Sequence, residues 1–132
     1  MFEAKTIMKT DLITVKRQTP IYEAIRILVE NNVTGLPVIN DDMTLAGIVT
    51  EKDVLRLLYN NEDKPGNVED FMTEEVVSFD EKDSLVDIAG RFIEGHFRRV
   101  PILAQGRLVG VISRKDVIAY IVKLRRTSKA AV

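Results

Sequence analysis

Two short stretches of the sequence place a hydroxyl three residues ahead of a carboxylate: Thr50-Glu51-Lys52-Asp53 and Ser113-Arg114-Lys115-Asp116. Each follows a glycine-led apolar run, Gly47-Ile48-Val49 in one case and Gly110-Val111-Ile112 in the other. A Ser or Thr with an acid three positions on, just before an apolar helical run, is the pattern of a capping box. Hydroxyl and carboxylate then satisfy backbone N–H groups that the first helical turn leaves unpaired. The same helix start also suits a ligand. Its N–H groups and the positive end of the helix dipole accept a phosphate. The hydroxyl donates to a phosphate oxygen, and the carboxylate accepts from two vicinal hydroxyls, as on a ribose. Geometry permits either use, but not both in full.

Little else in the chain supports catalysis. The 132 residues include no cysteine, which removes disulfide frameworks, thiolate nucleophiles and cysteine-bound metal centres. His96 is the only histidine and stands in Glu94-Gly95-His96-Phe97, with no second imidazole for a metal site or a triad. Carboxylates are plentiful, yet none is backed at catalytic spacing by a base, a metal set or a nucleophile. We therefore expect no catalytic residue, no metal and no cofactor. At 14.9 kDa, with 45% hydrophobic and 30% charged residues, the chain has the size and composition of one soluble globular module. No apolar run approaches the ~18 residues that span a bilayer, and Met1-Phe2-Glu3-Ala4-Lys5 lacks a signal-peptide layout. The expectation is a cytoplasmic protein with no membrane partner.

The elements that must position the two motifs occur twice. A shift of 64 positions lays Met8 on Met72, Thr14 on Ser78, Ile21 on Leu85, Leu28 on Phe92 and Pro37 on Pro101. After one deletion in the Asn40–Thr44 turn the offset becomes 63, and Leu45–Val54 lies on Leu108–Val117. In each half a β-branched run such as Leu12–Val15 leads to a helix, with Thr19 and Asp83 expected as caps. Ile21, Ala24, Ile25, Leu28 and Val29, and likewise Leu85, Ile88, Ala89, Phe92 and Ile93, recur at the spacing of one helical face. Leu36–Ile39 with Leu45–Val49, and Val100–Leu103 with Leu108–Ile112, read as hairpins, the internal prolines suggesting edge strands. Further helices are expected from Glu51 to about Asn60 and from Arg114 to about Arg126. The fold class is thus α/β (α+β): two β-α-β-β-α repeats, 1–62 and 67–126, a Pro-Gly linker around 60–67 and a basic tail, 127–132. Tyr22 and Tyr59 are expected beside the core.

Taken in order and in duplicate, Gly35-Leu36-Pro37-Val38 or Arg99-Val100-Pro101-Ile102, followed by the Thr50–Asp53 or Ser113–Asp116 motif, resemble a pair of cystathionine-β-synthase (CBS) domains over about residues 5–125. The resemblance implies a pseudo-two-fold module with two clefts between the repeats that bind adenosine-containing ligands. By the family pattern, Ser113 or Thr50 contacts phosphate and Asp116 or Asp53 the ribose hydroxyls. The adenine side is carried over to Leu12, Ile13, Val33, Thr34 and Gly35 for Asp116, and to Val76, Val77, Phe97, Arg98 and Arg99 for Asp53.

The two sites are not expected to be equal. Residues 1–90 carry 9 Lys/Arg against 18 Asp/Glu, and residues 91–132 carry 10 against 2. Arg114 and Lys115 flank Ser113 where Glu51 and Lys52 flank Thr50, which favours the Asp116 cleft for phosphates. If Arg98 and Arg99 face a cleft, they favour AMP, ADP or ATP over the cationic S-adenosylmethionine. Three functions compete: a regulatory nucleotide sensor acting on a protein partner in trans, a small phosphohydrolase, and a ligand-free protein-interaction or nucleic-acid module. The first is favoured; no recognition-helix motif or aromatic platform supports nucleic acid. Surplus apolar positions, including Val54, Leu55, Leu57, Leu58, Val117, Ile118, Ile121, Val122 and Leu124, suggest a homodimer.

Overall fold

Alternation of apolar residues at helical spacing with β-branched runs yields, among the described residues of the computed structural model, two three-stranded sheets and four α-helices, a mixed α+β architecture. Residues 2–59 and 66–130 are described, the last four by backbone alone. Most of the expected linker, 60–65, and the end of the tail, 131–132, lie outside the described residues. The chain forms two compact units: Ile13–Val76, and Met1–Leu12 together with Val77–Val132.

In the unit Ile13–Val76 the order is β1 (Val15–Lys16), α1 (Ile21–Asn31), β2 (Gly35–Ile39), β3 (Leu45–Thr50) and α2 (Glu51–Leu55). β2 is central, parallel to β1 and antiparallel to β3. In the other unit β4 (Phe79–Asp80), α3 (Leu85–Glu94), β5 (Arg99–Ala104), β6 (Arg107–Ser113) and α4 (Arg114–Ala130) repeat that plan, with β5 central. Each unit buries its own cluster. One contains Ile21, Ala24, Leu28, Leu36, Val38 and Val49, the other Leu85, Ile88, Phe92, Val100, Ile102 and Ile112. Full burial of such aliphatic side chains is worth about 1.5–3 kcal/mol each, which is what holds the short strands in place.

The prolines correct the edge-strand expectation. Pro37 and Pro101 lie in the central strands, yet β1 pairs only with Val38 and Ile39, and β4 only with Ile102 and Leu103. The flanking ladders therefore begin just past each proline and need no donor from it. The caps differ as well. The Thr19 hydroxyl accepts from Lys16 N, closing a turn, while α1 begins at Pro20 without a side-chain cap. Asp83 accepts from Asp80 N, and the cap of α3 is Ser84, which accepts from Val86 N at 3.1 Å. Val29 and Ile93, expected on the buried faces, are 74% and 84% exposed, and Tyr22 and Tyr59 also face solvent.

The segments that precede the first strands are what complete each core. Ala4 and Val68, 64 positions apart, are both fully buried. Ala4 packs with the β4–β6 unit, where Leu85 N donates to Phe2 O; Val68 packs with the β1–β3 unit, where its N–H donates to Thr19 O. Further along, Lys9 pairs with Val111 on β6, and Thr73 with Ile48 on β3. These segments run so close that their neighbours are bare glycines. A β-carbon at Gly110 would lie 2.5 Å from the Met8 sulfur, and one at Gly47 would lie 2.5 Å from the Thr73 carbonyl oxygen.

That contact predicts opposite signs for two like substitutions. Gly47→Ala drives a methyl group into backbone and should destabilise by about 1–3 kcal/mol. Gly90→Ala, in α3 with open space around it, should stabilise by about 0.8–1 kcal/mol. Urea denaturation of both variants checks the pair.

Candidate functional site

Each hydroxyl–acid motif sits where the last strand of its unit passes directly into a helix. Thr50 ends β3 and caps α2, and Ser113 ends β6 just before α4. The capping box is formed at both. Thr50 N donates to Asp53 Oδ2 at 2.8 Å while Asp53 N donates to Thr50 Oγ1 at 3.4 Å. Ser113 N donates to Asp116 Oδ2 at 2.8 Å and Asp116 N to Ser113 Oγ at 3.1 Å. One carboxylate oxygen of each pair is thus committed to its own backbone.

The second oxygen differs between the two. Asp53 Oδ1 accepts from Thr73 Oγ1 at 3.4 Å, and Asp53 is buried at 4% exposure. Asp116 Oδ1 faces the Lys9 ammonium at 3.6 Å, with side chains 14% and 69% exposed. Asp116 also borders an open groove of about 470 Å³, shared with Thr6, Ile7, Ala119, Tyr120 and Lys123, a volume in the range that holds small ligands. Lys9 and Thr73 were not singled out by sequence reasoning. The signal available was their common register, 64 apart and each one residue after an aligned methionine.

Within each unit, the residues before the proline lie at the same junction as the motif. Gly35 pairs in register with Thr50, and Glu51 N donates to Thr34 O. Arg99 pairs with Ser113, Arg114 N donates to Arg98 O, and Arg114 Nε donates to Phe97 O at 3.2 Å. Directly opposed residues project from the same face of a sheet, so the Arg99 guanidinium and the Ser113 hydroxyl share a face. Arg99 Nε is buried with no hydrogen-bond partner. A buried donor left unmade costs about 1–3 kcal/mol, and an incoming anion would remove that cost. Arg114 and Lys115 are exposed beside it.

The apolar candidates are mostly committed to packing. Val33 packs on the core of the β1–β3 unit, while Val77 and Phe97 pack on that of the β4–β6 unit, the Phe97 ring lying 5.9 Å from Phe92. Leu12 and Val76 are half-buried, and Ile13 is more exposed. Met8 and Met72 also pack on the two cores. His96 is exposed. Among the described residues no group of His, Cys, Asp or Glu is gathered as for a metal ion, and no helix is long and apolar enough to cross a membrane.

Comparison with known proteins bears on this geometry. The profile of the CBS domain matches residues 4–60 and 68–123. The uncharacterized protein MJ1225 of Methanocaldococcus jannaschii is 36% identical over 114 residues, which is 86% of this chain and 41% of that protein. The crystal structure of CBSX2, an Arabidopsis thaliana protein, in complex with AMP is similar at TM-score 0.84 and 31% identity, covering 95% of this chain and 99% of that one. The CBS domain pair of MJ0100, in complex with 5-methylthioadenosine and S-adenosyl-L-methionine, is similar at TM-score 0.78 and 25% identity, over 92% and 96% of the two chains. The chain spans 41% to 63% of the length of four curated relatives.

The cap can be weighed apart from any ligand. With no nucleotide present, Ser113→Ala should lower stability by about 1 kcal/mol, the usual cost of losing a side-chain N-cap. The measurement is the urea midpoint of the variant against the parent.

Proposed function

Because the chain belongs to the CBS domain family, we propose that it is a regulatory CBS-pair module of the cytoplasm. It holds an adenine nucleotide, AMP, ADP or ATP, at the Ser113–Asp116 junction and signals its occupancy to a protein partner in trans. The observation that carries the reading is the pairing of Ser113 with Arg99 across β5 and β6, with the buried Arg99 Nε unpartnered. A hydroxyl and a guanidinium on one face, at the N-terminus of a 17-residue helix, supply the donors that a phosphate takes. The AMP complex of CBSX2 supports the ligand class.

Asp116 holds the ribose in this reading. Its Oδ2 keeps the cap and has a lone pair to spare, while Oδ1 can turn to a hydroxyl. The residues proposed for the base are Leu12, Ile13, Val33, Thr34 and Gly35. Thr50 and Asp53, with Val76, Val77, Phe97 and Arg98, form the second proposed set; Arg99, expected with them, is assigned in this reading to Ser113, which it opposes across β5 and β6. The second set is the weaker of the two, because both Asp53 oxygens are engaged and the acid is buried. No bond is made or broken, so the nucleotide should be recovered unchanged.

MJ0100 was crystallised with S-adenosyl-L-methionine, and that ligand is the alternative. Arg99, Arg114 and Lys115 around Ser113 disfavour a sulfonium there by charge alone.

A second copy of the chain is the proposed cover for the apolar surface that remains. Val86 and Ile93 on α3, and Ile118, Ile121 and Val122 on α4, are exposed in one unit, as are Leu55 and Leu58 in the other. Val54, Leu57 and Val117, by contrast, pack inward.

Two measurements test these readings. At 100 times its dissociation constant, AMP should stabilise the fold by about 2.7 kcal/mol, seen as a dose-dependent rise in Tm. Asp116→Ala should remove most of that increment, measured against its own ligand-free Tm, and an undiminished increment would move the site elsewhere. Sedimentation equilibrium should give about 30 kDa, twice the 14.9 kDa chain mass; a 14.9 kDa species would remove the dimer.

A further inference from the structure

The two copies of the junction differ at one residue that no motif contains. Lys9 and Thr73 occupy the same position in the repeat, 64 residues apart. Their backbones are fixed in the same way: Lys9 N donates to Val111 O and Val111 N to Lys9 O at 2.9 and 3.0 Å, and Thr73 makes the matching pair with Ile48 at 2.8 and 2.9 Å. Each side chain then reaches Oδ1 of the acid in its own unit, one with an ammonium and the other with a hydroxyl. The copies are alike in geometry and differ in charge: one side chain is cationic, the other neutral.

We infer that Lys9 is the specificity-determining residue of the Asp116 site, a cation that exchanges the carboxylate for a ligand phosphate and thereby selects nucleotides over nucleosides. The inference rests on the functional reading above. The ammonium stands 3.6 Å from Oδ1, the oxygen a ribose hydroxyl needs. A neutral nucleoside displaces it and offers it no anion in return. A nucleotide brings its own. The ammonium is 69% exposed, on a four-carbon stem that swings at little cost. A pair so exposed is held weakly, so Oδ1 is yielded readily. A phosphate carries more negative charge and more acceptor oxygens than a carboxylate, so a charge-assisted contact to it is the stronger one. The exchange therefore favours phosphorylated ligands, and Arg99 at the opposed position adds to the same preference.

The test is calorimetric titration of the full chain with AMP and with adenosine, for the parent, Lys9→Thr and Lys9→Arg. Lys9→Thr installs the residue that the other repeat carries, at an exposed position where folding is not at risk. The expected result is about a tenfold loss of AMP affinity in Lys9→Thr, adenosine affinity unchanged or raised, and the parental AMP preference retained in Lys9→Arg. An AMP affinity indifferent to Lys9→Thr, or parallel losses for AMP and adenosine, overturns this inference and leaves the nucleotide reading standing. A parent that binds neither compound overturns both.

Discussion

A carboxylate has two oxygens, and at each junction one of them is already spent. Asp53 and Asp116 hold their helices to the preceding strands by accepting the backbone N–H of Thr50 and Ser113. A buried helix start without such a partner would leave orphan donors. What the junction can do for a ligand is therefore decided by the remaining oxygen and by what approaches it. Capping and binding are not alternatives between which the protein chooses. In the proposed function they are divided between Oδ2 and Oδ1 of the same side chain.

That division explains why two near-identical motifs need not behave alike. Around Asp53 the second oxygen is closed by a neutral hydroxyl, the opposed residue is Gly35, and Glu51 follows. Around Asp116 it is met by an ammonium, the opposed residue is Arg99, and Arg114 and Lys115 follow. Part of the charge imbalance visible along the sequence is thus brought to one junction: the register of β5 on β6 sets Arg99 opposite Ser113, and the path of residues 2–12 adds Lys9, while the other basic residues of 91–126 stay on solvated faces.

The periodicity, the duplicated hairpins and both capping boxes were legible in the sequence because each depends on contacts within a few residues. Leu36–Ile39 and Leu45–Val49 fall inside β2 and β3, and the hydroxyl–acid spacing is itself the signature of the cap. What was not legible depends on partners distant in the chain. Thr19 looks like a cap but closes a turn on Lys16, because α1 is entered from Pro20. The prolines look like edge markers, yet β1 and β4 are only two residues long and pair just past them. Lys9 and Thr73 carry no local signal of proximity to an acid 107 and 20 residues away in sequence, respectively. Only the crossing of these segments onto the opposite repeat's last strand creates it.

The same crossing sets where the proposed site lies along the chain. Residues 2–12 are pinned to the β4–β6 unit by Ala4, Met8 and Lys9, and the chain then passes directly into Ile13 and β1 of the other unit. Lys9 is therefore a neighbour of Asp116 within the β4–β6 unit, a few residues before the chain enters the other unit. A ligand shifts a conformational equilibrium only by its differential affinity for the states. Moving an ammonium from carboxylate to phosphate, as inferred for Lys9, would be such a difference, made at a residue four positions before the unit boundary. At the Asp53 junction the matching residue is a threonine, whose hydroxyl has no charge to hand over. Occupancy there would leave the charge of its segment unchanged, so under the proposed function an electrostatic response belongs to the Asp116 junction and not to the Asp53 one.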